Sequence, residues 1–152
     1  MSTQDIYNYR KVKEQIITGG QPTLEQLKAA ADEGYQTVIN LATYKRGESL
    51  ENEEILVRAL GMVYYHIPVE WEHPRISDFI TFEQVMTSTK ATKILLHCAA
   101  NYRATAFYSL YAMKYEAWTE DQAEQFRSLV WTVSKYPIWE KFIREVEEIL
   151  QR

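Results

Sequence analysis

A lone cysteine ends an apolar run, and an arginine follows five positions later, in Leu95-Leu96-His97-Cys98-Ala99-Ala100-Asn101-Tyr102-Arg103-Ala104-Thr105. Residues 93–97 read as a buried strand and residues 103–115 as a helix. The loop between them therefore lies at a helix N-terminus, where unpaired backbone N–H groups and the helix dipole attract anions. A thiol held in such a loop is biased toward thiolate. An arginine opening the helix can hold a tetrahedral oxyanion through two parallel hydrogen bonds. A lone cysteine is otherwise a small apolar core residue. His97 before it and Arg103 after it, across a strand-to-helix junction, argue for a nucleophile beside an anion cradle.

The elements that must position this loop can be read from the rest of the chain. Residues 15–18 form a short strand, broken by Gly19-Gly20-Gln21-Pro22, and the polar, aromatic residues before it pack on an edge. Thr23 caps a helix with Gln26 as its capping-box partner, and Gly34 ends that helix. Residues 37–41 (Thr-Val-Ile-Asn-Leu) are a buried strand by their β-branched content. Ser49 caps a second helix whose start is favoured by Glu51, Glu53 and Glu54 and which Gly61 stops. A longer strand covers 62–69 and a helix 77–88. After the helix at 103–115, two more follow at 120–136 and 138–150, the first opened by Thr119 with Gln122 and ended by Pro137. This alternation predicts an α/β fold, one domain over residues 1–152, with a mainly parallel central sheet flanked by helices. Ligands in such sheets bind beyond the carboxyl ends of the strands. The loops at 42–48, 70–76 and 98–102 are thus expected to line one mouth.

Composition narrows the function classes. A net charge of −4 argues against nucleic acid as a partner. No run approaches the ~18 apolar residues of a membrane span, and the first ten residues lack a signal-like apolar stretch. One cysteine excludes an internal disulfide framework. These features imply a cytoplasmic protein that does not engage membranes. His66, His73 and His97 fall at no helix-face spacing, so no metal is expected.

The His97-Cys98…Arg103 segment resembles the phosphate loop of the cysteine-dependent protein tyrosine and dual-specificity phosphatases. More closely, residues 16–136 resemble the bacterial phosphatase-like family related to the beta-lactamase-hydrolase-like proteins. The resemblance includes Gly20-Gln21-Pro22, the strand at 37–41, His66-Ile67-Pro68-Val69 and the segment 97–107. It implies a phosphotyrosine phosphatase-like fold, no cofactor, and a phosphorylated protein or small phosphate ester as substrate. Cys98 would attack phosphorus to form a phosphocysteine. Arg103 would bind the transferring group together with His97, Ala99, Ala100, Asn101, Tyr102, Ala104 and Thr105. The general acid would come from the loop after the third strand of the parallel set, with Glu70 first and Glu72 second.

Two departures from the commoner pattern stand out. Four residues separate Cys98 from Arg103 where typical tyrosine phosphatases have five, and Ala104 occupies the place of their Ser or Thr, with Thr105 one further on. The shorter spacing is also that of rhodanese-type sulfurtransferases. The alternatives are therefore sulfur transfer through a Cys98 persulfide, or a non-catalytic oxyanion-binding module. Lys45 and Arg46 offer a basic patch at the mouth, or a solvated loop tip. Trp71, Tyr102 and Tyr44 offer an aromatic wall. The aromatic residues of the closing helices, Trp131, Tyr136, Trp139 and Phe142, are core or a homodimer surface.

Overall fold

Three short strands bury every residue: Ile16–Gly19 (β2), Thr37–Asn40 (β3) and Ile94–His97 (β5). Burial on both faces is what a parallel sheet covered by helices requires. The computed structural model describes residues 1–152 apart from the side chain of Arg46. Its sheet has the order β1-β2-β5-β3-β4, with β4 at Val63–His66. β2, β5, β3 and β4 run parallel; Arg10–Lys13 (β1) pairs antiparallel on the outer edge of β2. Alternate residues serve opposite faces. Ile16, Ile39, Ile94 and Leu96 enter one core, while Ile17, Val38, Tyr64 and Leu95 enter the other.

The helices are Leu24–Asp32 (α1), Glu53–Ala59 (α2), Ile76–Thr89 (α3), Tyr102–Tyr115 (α4), Glu120–Ser128 (α5) and Pro137–Leu150 (α6). α1 and α5 begin with the predicted capping boxes, Thr23 with Gln26 and Thr119 with Gln122. Gly61 ends the turn after α2 at φ 84°, a conformation that suits glycine.

Three predicted boundaries differ. Ser49 does not cap α2. Its hydroxyl donates to the Thr43 carbonyl (2.9 Å) and accepts from Asn40 (3.2 Å), closing the loop that follows β3. The helix begins instead behind Asn52 at φ 63°. β4 stops at His66 rather than residue 69: Ile67 N–H still donates to the Asn40 carbonyl, but Val69 N–H donates to Leu41 instead of the in-register residue 42, so the regular pairing ends there. The helix expected over 120–136 ends at Ser128. Trp131 leaves the helical path to stack on Tyr102, centroids 4.8 Å apart, and to donate from Nε1 to Thr105 Oγ1 at 3.0 Å. Tertiary packing overrides helical periodicity there.

The expected dimer surface is also corrected. Trp131, Trp139 and Phe142 are buried, packed against Trp71 and Phe107 inside the chain, so these rings are unavailable to a second copy. No helix among the described residues is long and apolar enough to cross a membrane.

Candidate active site

β5 lies at the centre of the sheet, with His97 in register with Gly19 on one side and Asn40 on the other. The chain leaves its carboxyl end through Cys98 to Asn101 and enters α4 at Tyr102. Asn101 precedes the helix at φ 68°, a left-handed position that asparagine tolerates better than most residues. Its side chain does not cap the helix. Asn101 Nδ2 donates to the Asn8 carbonyl (2.8 Å) and to Thr18 Oγ1 (3.0 Å), which ties the loop to β2 and the N-terminal segment.

The three carbonyls of the loop are held from behind. His97 Nδ1 lies 3.1 Å from the Cys98 oxygen, Gln21 N donates to the Ala99 oxygen at 3.0 Å, and Asn8 Nδ2 to the Ala100 oxygen at 3.0 Å. Every peptide bond in the chain is trans, so C=O and N–H of each unit point in opposite directions. Drawing those carbonyls back turns the amides of Ala99 and Ala100 the other way. Among the described residues, the amides of Ala99, Ala100, Tyr102, Arg103 and Ala104 have no acceptor. The result is a cluster of backbone donors at a helix N-terminus, which is an anion site.

Gly20 permits this approach. A Cβ there would lie 2.7 Å from the Ala99 oxygen and 2.9 Å from the Tyr7 ring, so no side chain fits without moving the loop. The Gly20-Gln21-Pro22 motif thus backs the loop, with Gly20 giving closeness and Gln21 the hydrogen bond.

Cys98 has no solvent-exposed surface, yet it lines a cavity of about 270 Å³ together with Ala99, Ala100, Tyr102, Arg103, Trp71 and Tyr136. A second cavity of about 360 Å³ shares Trp71 and Arg103 with it and is bounded by Thr43, Lys45, Glu48, Glu70 and Glu72. The three loops expected at one mouth therefore do meet there. Trp71 is anchored deeply: its carbonyl accepts from Trp139 Nε1 at 2.7 Å, and its ring packs with Tyr102, Trp131, Tyr136 and Trp139. Glu70 and Glu72 flank it on the exposed side of the turn, and Glu70 lies 3.6 Å from Lys45 Nζ. Lys45 thus belongs to the mouth, whereas the side chain of Arg46 lies outside the described residues. Tyr44 leaves the aromatic wall and packs on His66 instead.

Arg103 is placed at the junction of the two cavities, but its grip differs from the simple fork expected. Nη1 donates to the Val69 carbonyl at 2.8 Å and Nη2 to Glu48 Oε1 at 2.5 Å. Two of its five N–H groups are thereby committed, leaving Nε–H and one N–H on each terminal nitrogen. Glu48 was not singled out in the sequence as a site residue; its one signal was a place at the end of a loop expected to face the mouth.

Two expected phosphate-binding side chains face elsewhere. Thr105 Oγ1 is bonded to the Asn101 carbonyl (2.7 Å) and to the Tyr102 carbonyl (3.0 Å), and it accepts from Trp131, so its hydroxyl serves the helix and not the sulfur. His97 points behind the loop to Glu53 Oε2 at 2.7 Å, with both side chains fully buried. In the sequence Glu53 is one of three acidic residues that favour a helix start. Burial pushes its carboxyl up, but the neighbouring His97 and the hydrogen bonds from His97 and Gln21 outweigh that and hold it below the usual carboxylate range. A depressed carboxyl stabilises the fold at neutral pH, and that contribution is lost as pH falls through its folded-state titration.

Similarity to known proteins agrees with this geometry. A family profile described as "DSP-PTPase phosphatase fused to NAD+ Kinase" matches residues 2–135. A DUF442 protein of Shewanella putrefaciens CN-32 with a provisional phosphatase assignment is 31% identical, covering 97% of this chain and 95% of its own, with a TM-score of 0.88. TpbA of P. aeruginosa in complex with pTyr shares the fold at 10% identity, covering 99% of this chain and 91% of its own, with a TM-score of 0.77. The core catalytic domain of the PP-IP phosphatase SIW14 of S. cerevisiae does so at 13% identity, covering 96% and 92%, with a TM-score of 0.73. A search of curated proteins gave no match. Sulfur transfer is not favoured by any of these likenesses. The chain belongs to the family of DSP-PTPase phosphatases described as fused to NAD+ kinase, within the cysteine-dependent tyrosine and dual-specificity phosphatases.

Proposed function

We propose that residues 1–152 act as one phosphatase-like domain that hydrolyses phosphate monoesters through Cys98, with a phosphorylated protein or a small phosphate ester as substrate. The cradle of acceptor-free amides above Cys98, closed by Arg103, carries this reading. The Cys98 thiolate attacks phosphorus and the P–O bond to the leaving group breaks, giving a phosphocysteine. The amides of the loop and the uncommitted N–H groups of Arg103 hold the equatorial oxygens, where charge must be stabilised during transfer. Glu70 gives a proton to the leaving oxygen, with Glu72 as the second candidate across Trp71. In the second half-reaction water attacks phosphorus, the same carboxylate accepts its proton, and the thiolate departs. Trp71, Tyr102 and Tyr136 suit an aromatic leaving group such as phosphotyrosine, and TpbA was seen with pTyr in the corresponding fold. A lone free thiol suits a reducing cytoplasm.

Rapid quenching in alkaline denaturant during turnover of p-nitrophenyl phosphate, followed by peptide mass spectrometry, tests the covalent step. A phosphoryl group on the peptide containing Cys98 is the expected result; a sulfur adduct after thiosulfate, with no phosphoryl adduct, would overturn it. Glu70→Gln is expected to remove the basic limb of the kcat profile with poor leaving groups and to leave good ones nearly unaffected. An unaltered profile moves the assignment to Glu72.

A further inference from the structure

The pair formed by Glu53 and His97 lies behind the loop and takes no part in the steps above. Glu53 Oε2 is 2.7 Å from His97 Nε2, and His97 Nδ1 is 3.1 Å from the Cys98 carbonyl oxygen. A carbonyl oxygen has no proton to give, so Nδ1 must carry the hydrogen. Glu53, its carboxyl held below the usual range, is an acceptor only when ionised, and Nε2 then carries the second hydrogen. A ring that donates from both nitrogens is an imidazolium.

We propose that Glu53 is a positioning residue for Cys98, acting by holding His97 as a buried imidazolium behind the nucleophile; the proposal rests on the phosphatase reading of this loop and adds a residue to it. Two effects reach the site through that ring. Its Nδ1–H draws the Cys98 carbonyl backward, which turns the next amide, Ala99 N–H, toward the anion. Its positive charge lies on the residue adjacent to the sulfur and favours the thiolate over the thiol.

The surroundings of the pair support this arrangement. Gln21 Nε2 donates to Glu53 Oε1 at 2.6 Å while the Gln21 backbone N–H donates to Ala99 O, so one residue braces both the carboxylate and the loop. From β4, Tyr64 approaches Glu53 as a neutral phenol: burial, and then the Glu53 charge, push its ionisation far above the ordinary value. Its hydroxyl is held by Asn40 of β3 at 3.1 Å and by Tyr44 at 3.2 Å. Among the described residues no lysine or arginine pairs with Glu53. His97 is therefore the counter-charge of a carboxylate sealed from water, and each ion holds the other in its charged form.

The state of His97 can be read directly by NMR of the unaltered protein with isotopically labelled histidine nitrogens, His66 and His73 being assigned by substitution. Both nitrogens of His97 are expected to carry protons at neutral pH; a neutral imidazole would overturn the proposal. In Glu53→Gln, the acid limb of Cys98 alkylation by iodoacetamide is expected to move to higher pH by about one unit, roughly a tenfold slower reaction on that limb. Phosphatase kcat should fall on its acid side and recover at high pH. A folded variant with an unmoved limb, or a rate lowered equally at every pH, overturns the proposal. If Glu53→Gln does not fold, the histidine spectrum decides. Neither readout needs turnover, so the expected spectrum and limb shift support the role of Glu53 even where phosphate ester hydrolysis is absent, an absence that sinks the phosphatase assignment alone.

Discussion

Cys98→Ser is expected to lower kcat/KM for p-nitrophenyl phosphate by about 10⁴-fold or more, the scale seen when a covalent nucleophile is removed. A hydroxyl in place of the thiol keeps the size of the side chain but is hardly ionised at neutral pH, so no attacking anion forms. The surrounding structure should be undisturbed. Among the described residues nothing hydrogen-bonds the Cys98 sulfur, and the carbonyls that shape the loop are held by His97, Gln21 and Asn8. The variant should therefore still bind vanadate or sulfate with affinity close to that of the unaltered protein. Steady-state kinetics and oxyanion titration check both halves. Undiminished turnover would exclude the covalent route, and lost binding with lost turnover would mean that the sulfur shapes the cradle.

The second large effect is expected from Arg103→Ala, a loss of about 10²- to 10³-fold in kcat/KM, comparable to deleting a preorganised donor at a developing charge. Here the loss has two sources. The anion loses up to three N–H donors, and the side chains that the guanidinium restrained are released. Glu48, one quarter exposed and still held by the Thr43 hydroxyl, then faces the incoming phosphate without a counter-charge. The buried Val69 carbonyl also loses its donor, which costs about 1–3 kcal/mol. Arg103→Lys separates the contributions. It keeps a positive charge against Glu48 but cannot span Val69, Glu48 and the anion together, so recovery should be partial. Glu48→Gln in the Arg103→Ala background should raise activity again by removing the repulsion. A rate for Arg103→Ala within threefold of the unaltered enzyme would mean that the backbone amides alone hold the oxyanion.

Sequence patterning located what repeats and what is local. The β-branched run at 37–40, the apolar run at 94–97 and the two capping boxes report on neighbours a few residues away, and all appear at their expected places. The Cys98–Arg103 spacing is local too, which is why the loop could be identified before any packing was known. The failures share a different cause. Trp131 breaks the helix over 120–136 to reach Thr105, and the Glu48–Arg103 and Glu53–His97 pairs join residues 55 and 44 positions apart. No periodicity marks such partners. Glu53 sat among three acidic residues with equal claims on the helix start, and only burial against β5 singles it out.

The tether between Trp139 and the Trp71 carbonyl has a mechanical implication. The turn bearing both proton-donor candidates is stapled to the last helix, and its Trp71 ring shares a cavity with Cys98. On the proposed reading of Glu70 and Glu72, the carboxyl-terminal rod is a strut for proton delivery, and loosening its grip on Trp71 would free the donor turn to drift.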